Sequence, residues 1–191
     1  TDRFHVQKLA FEALQEMRVK ARWEALDKES IQIAYAKACG KIYHAPTFEN
    51  GDSRKQLLAR SIYLLYKKES LWTESQRIRA GILFREYPDL KKAYYLSMRL
   101  GLIYHQCKHK DTALTRLARW YDEVEKSGFL AFGRVIRSIQ THYLEIVNFF
   151  DRRSTNAASE SFNAKIKDFR TQFRGVKDRT FFLFRLTKIY A

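Results

Sequence analysis

The chain has 191 residues, with 36 Lys and Arg against 21 Asp and Glu, a formal charge of +15, and a composition 46% hydrophobic and 15% aromatic. This is the length of one domain, with room for an embedded subdomain and enough apolar material for a packed core, which excludes intrinsic disorder. No apolar run is long enough to span a bilayer and the start has no signal-peptide pattern, so the expectation is a soluble, cytoplasmic protein with no membrane partner.

Few breakers interrupt the chain, only 7 Gly and 2 Pro, so many short strands are not expected and helices are. Val6, Leu9, Ala10, Ala13, Leu14 and Met17 recur at steps of three and four, the pattern of an amphipathic helix. A second apolar stretch runs through Ile31, Ile33, Ala34, Tyr35 and Ala38, and Pro46, Asn50 and Gly51 then mark a surface loop. Asp52 or Ser53 caps a helix bearing Leu57, Leu58, Ile62 and Leu65, and Thr73 with Gln76 forms a capping box for a helix bearing Ile78, Ile82 and Leu83. Pro88 ends that helix and starts the next, which carries Leu90, Ala93, Tyr94, Leu100 and Leu102. After a polar turn from Lys108 to Asp111 come Leu114, Leu117, Tyr121 and Val124, closed by Gly128. A last stripe runs from Phe132 through Val135, Ile136, Ile139, Tyr143 and Ile146 to Phe150, broken near its start. Trp23, Trp72 and Trp120 fall within these patterns and are read as core residues. Cys39 and Cys107 are too few and too far apart for a disulfide framework or a zinc site and are read as buried thiols. The expected fold class is all-α, a helical array around one core.

The informative chemistry lies at the two ends. From Arg152 the run Arg-Arg-Ser-Thr-Asn-Ala-Ala-Ser-Glu reads as a basic approach, a cap at Thr155 or Asn156, and a helix start that puts Glu160 in the first turn. Phe162, Ile166, Phe169 and Phe173 then form one stripe, while Glu160, Asn163 and Lys167 share another face. Lys165, Lys167, Arg170, Arg174, Lys177 and Arg179 surround that single acid with cations. Such a basic helix suits a site that handles phosphodiesters; a solvated basic face with a dipole-favoured Glu is the other reading. At the opposite end Asp2-Arg3-Phe4-His5-Val6 runs directly into the first helix, so Asp2 sits either at a chain reversal after a strand or simply as an N-cap. The net positive charge points to a polyanionic partner, nucleic acid first.

Taken together, Asp-Arg-Phe-His-Val before a helix, a long helical stretch, and Thr-Asn-x-x-x-Glu-x-x-Asn-x-Lys-Ile-Lys before a Gly-centred turn and an aromatic segment resemble the ISL3 family of bacterial insertion-sequence transposases. The resemblance covers essentially the whole chain. It implies a member of the DDE superfamily, in which an RNase H-like domain presents two Asp and one Glu to Mg2+ or Mn2+ ions that drive DNA strand cleavage and transfer. On that resemblance Asp2 matches the second Asp and Glu160 the final Glu, and both serve as catalytic residues and metal ligands. His5 and Asn156 support them. Arg152, Arg153, Asn163, Lys165, Lys167, Arg170, Arg174 and Lys177 are candidates for DNA contacts. The implied partners are the transposon ends and the target DNA, with a homo-oligomer in the active assembly and a location at the bacterial nucleoid.

The implied organisation is residues 1–51 as the helices after the second Asp, 52–150 as a helical insertion, and 151–191 as the catalytic helix with a closing helix. Because the chain opens at Thr1, straight into a structured segment, it reads as the C-terminal part of a longer enzyme. The first Asp and most of the central sheet are expected upstream, and the fragment alone is expected to be inactive. A non-catalytic helical module that binds nucleic acid through its basic C-terminal helix is the alternative.

Overall fold

A computed structural model describes residues 3–107, 109–142, 145–146 and 150. The chain divides into two compact units, Thr1–Asp151 and Arg152–Ala191, and the description is of the first. Among the described residues six α-helices follow one another, α1 (Arg3–Ala38), α2 (Arg54–Arg60), α3 (Glu74–Glu86), α4 (Pro88–Gln106), α5 (Lys110–Ser127) and α6 (Gly133–Thr141). Three short 3-10 turns punctuate them at Leu64–Tyr66, Glu69–Leu71 and Leu130–Phe132. No strand occurs among these residues, only an isolated antiparallel bridge between Thr47 and Ser53. The described unit is all-α.

Helix α1 is the organiser, packing against α4, α2, α6 and the 130–132 turn, while α4 also receives α3 and α5. Its first half buries Val6, Ala10, Ala13 and Leu14 at helical spacing. Small residues, Ala10 and Ala13 on α1 and Ala93 on α4, are fully or almost fully buried and let the two backbones approach. Ser97 Oγ donates to Ala10 O at 3.1 Å and Gln7 Nε2 to Ser97 O at 3.0 Å, bonds that cross the helix pair, while the buried Gln7 Oε1 has no partner among the described residues. One turn further along α1, the buried Arg18 donates to Leu58 O at 2.9 Å and Gln15 Nε2 reaches Ile62 O at 3.4 Å. Leu58 O lies in the last turn of α2 and Ile62 O just past its end, where helical acceptors run out of intrahelical donors and a cation is favoured. Burial, followed by the charge of Arg22, lowers the pKa of Arg18 from its ordinary value.

The local signals act as expected at several boundaries. Gln76 N donates to Thr73 Oγ1 and Thr73 N to Gln76 Oε1, closing the capping box of α3. Pro88 occupies the first turn of α4, and Gly128 ends α5 at φ +68°. Ser53 is the N-cap of α2, its N–H donating to Gln56 Oε1 at 2.9 Å. The stripe after Phe132 is indeed broken at its start, by the 130–132 turn.

Other expectations are corrected. The first two apolar stretches belong to one 36-residue helix, roughly 54 Å long, and α2 stops at Arg60, leaving the buried Leu64 and Leu65 on a 3-10 turn. Trp120 is buried and Trp72 partly so, but Trp23 is 61% exposed, because α1 beyond Ala25 has no buried residue against which it could pack. Ile31, Ile33, Tyr35 and, on α3, Ile78 are exposed too. Cys39, just past the end of α1, is exposed for the same reason, while Cys107 is buried.

Candidate functional site

Helix α1 begins immediately after Asp2. Its first turns are held rigidly: Val6 and Ala10 are fully buried, Gln7 is hydrogen-bonded to α4, and Ser97 of α4 bonds back to Ala10. His5, in the first described turn, is exposed. Among the expected site residues only His5 is described. Asp2, Arg152, Arg153, Asn156, Glu160, Asn163, Lys165, Lys167, Arg170, Arg174 and Lys177 lie outside the described residues.

A family model described as a transposase of the DDE type, ISL3 family, matches residues 1–186. The chain belongs to this family. The match takes in all but the last five residues, and with them both Asp2 and Glu160. No curated protein and no solved structure matches the chain. As a transposase chain it belongs to enzymes that act on DNA, and its family uses divalent metal ions. Among the described residues no three His, Cys, Asp or Glu side chains are grouped as metal ligands, and no helix is long and apolar enough to cross a membrane.

One charged cluster escaped the sequence reading, which weighed Asp52 only as a helix cap. Its carboxylate is fully buried. Arg79 Nε on α3 donates to Oδ2 at 2.8 Å, Arg60 at the end of α2 pairs with Oδ1, and Asn50 Nδ2 adds a bond at 2.9 Å. The backbone is folded to present it: Gly51 N donates to Phe48 O, Gly51 takes φ +78°, and Asp52 N donates to Asn50 Oδ1. Burial by itself would raise the pKa of Asp52, but hydrogen bonds from Arg79 and Arg60 and the charge of Arg79 outweigh it and hold the carboxyl below its usual value. Both oxygens are committed to guanidinium groups, so this cluster clamps the 40–53 loop to α2 and α3 and offers no open position for a ligand. The turn signal Asn50-Gly51-Asp52 was legible in sequence; the two arginines, 8 and 27 positions away, were not.

Proposed function

We propose that Asp2 and Glu160 are two carboxylates of a catalytic centre that cuts and joins DNA strands at insertion-sequence ends by metal-dependent phosphodiester chemistry. The continuous family match over residues 1–186, which includes both acids, carries this reading. The anchoring of the first turns of α1 supports it, because a catalytic side chain delivered at the start of a rigid element loses little freedom when it binds.

The donor set fits the expected ions in kind. Carboxylate oxygens are hard ligands of the sort that Mg2+ and Mn2+ take, alongside water and substrate phosphate oxygens. When bound, such ions activate an attacking water or 3′-hydroxyl and stabilise the leaving oxygen. Asp2 and Glu160 would hold them and offset their charge, and His5 and Asn156 would orient the two carboxylates through hydrogen bonds. Two carboxylates are too few to offset the charge of two such ions, so the centre would also need a third, the family's first Asp.

Lys165, Lys167, Arg170 and Arg174, with Arg152, Arg153, Lys177 and Asn163, would contact backbone phosphates. Residues 152–191 contain ten Lys and Arg against three acids, which favours such contacts; they position DNA without reading its sequence. The two ends of an element call for more than one protomer, acting on DNA in the cytoplasm.

The test is Glu160→Gln in the full-length transposase. Strand transfer is expected to be lost while duplex DNA still binds with wild-type affinity. Retained transfer would remove Glu160 from the centre and favour the non-catalytic nucleic-acid-binding module instead.

A further inference from the structure

Most arginines that line the described unit's clefts and seams meet a carboxylate or a carbonyl. Arg54, Arg60, Arg79, Arg85 and Arg134 each pair with an acid, and the buried Arg18 donates to Leu58 O of α2 and to Gln15 Oε1. The groove between α4 and α5 differs. Arg99, Leu102 and Gln106 form one wall and Arg116, Arg119 and Glu123 the other, around a space of about 420 Å³. Arg99 is paired with Glu123, its Nη1 donating to Oε1 at 2.9 Å. Arg116 and Arg119 are exposed and have no hydrogen-bond or ion-pair partner among the described residues. Three guanidinium groups therefore converge on a groove containing one carboxylate, an excess of two positive charges.

We propose that this α4/α5 groove binds the sugar-phosphate backbone of duplex DNA, as a contact surface separate from the basic C-terminal residues. The identity of the polyanion rests on the transposase reading above. The dimensions agree: Arg99 to Gln106 and Arg116 to Glu123 each cover roughly 10 Å of helix, enough to reach two neighbouring phosphates of one DNA strand. Arg116 and Arg119, three positions apart, face the same way with Cβ atoms roughly 5–6 Å from each other. A guanidinium fork suits phosphate oxygens, and the 36% exposed Leu102 offers an apolar surface to sugar carbons. Single-strand binding by base stacking fits less well. The aromatic ring in the groove, Trp120, is 1% exposed, and its Nε1–H is already donated to Leu96 O at 2.8 Å.

The experiment measures affinity of the 191-residue chain for two duplexes of unrelated sequence across a range of NaCl concentrations. Wild type is compared with Arg116→Gln/Arg119→Gln, with Arg116→Lys/Arg119→Lys, and with Arg85→Gln/Lys126→Gln, which removes the same charge from cations paired elsewhere. Thermal melts verify that each variant is folded. The slope of log K against log salt is expected to flatten by about 1.8 in the glutamine groove variant, at about 0.9 for each lost phosphate contact. The change should be equal on both duplexes, retained charge should restore the slope in the lysine variant, and the control pair should leave it close to wild type. An unchanged slope in the groove variant, or an equal change in the control pair, overturns the groove assignment while the transposase reading stands. Absence of any DNA binding by the wild-type chain defeats the groove and the proposed C-terminal contacts together. Displacement of DNA by polyglutamate at equal charge concentration overturns the proposal in favour of an acidic protein partner.

Discussion

Replacing Asp52 with Asn removes one negative charge from a fully buried position while keeping the shape of the side chain. Two charge-assisted contacts are lost. That with Arg79, whose side chain is 18% exposed, spans 2.8 Å, and a bond of this kind contributes about 1.5–3 kcal/mol. That with Arg60, whose side chain is 55% exposed, is screened by water and adds about 0.5 kcal/mol. The Asn50 turn survives, since Asp52 N still reaches Asn50 Oδ1. The expected loss is about 2–3.5 kcal/mol, near the lower end of the cost of breaking a buried ion pair, and urea unfolding followed by circular dichroism at neutral pH would measure it. Acid supplies the second half of the test. Because the folded pKa of Asp52 is lowered, its contribution is fully present above the unfolded value of about 3.9 and is lost as pH falls through the folded value. The gap between wild type and variant should therefore narrow as the pH drops below about 4. A loss under about 0.5 kcal/mol at neutral pH, or a gap that does not shrink in acid, would refute the clamp.

Gly101 lies where α4 meets α1, and a Cβ there would stand 2.8 Å from Gln7 Oε1. Gly101→Ala should displace the Gln7 side chain and lose its 3.0 Å bond to Ser97 O, a cost of about 1 kcal/mol that roughly cancels the gain of about 1 kcal/mol in helix propensity. In a Gln7→Ala background the same substitution should stabilise, and a double-mutant cycle with no coupling would reject the contact. The tryptophans should separate sharply. Trp120→Ala, which empties a buried site and removes the indole N–H bond to Leu96 O, is expected to cost about 3–5 kcal/mol. Trp23→Ala, at a 61% exposed position, should change stability by less than about 0.5 kcal/mol; equal effects in chemical denaturation would overturn the burial pattern.

Much of the local structure was legible in the residues themselves. The Thr73 and Gln76 box, Pro88 and Gly128 each act through groups a few positions apart, so the start of α3, the break before α4 and the end of α5 follow from local geometry. The all-α class follows likewise from apolar residues at steps of three and four. Of the candidate site, sequence similarity over residues 1–186 identifies the family, and Asp2 and Glu160 lie near opposite ends of that stretch. Periodicity, however, marks which residues share a helix face and not whether another element will cover it. Leu14 and Trp23 lie on one helix, yet α4 is packed against α1 near the former and no buried contact surrounds the latter. Cys39 and Cys107 are chemically identical and differ only in what lies beside them. Asp52 reads as a cap until Arg60 and Arg79 close on it, and Arg116 and Arg119 become a groove only when α5 folds back along α4. Each of these outcomes depends on contacts between residues far apart in the chain, which are set by how whole helices pack, and local sequence encodes the helices without encoding their neighbours.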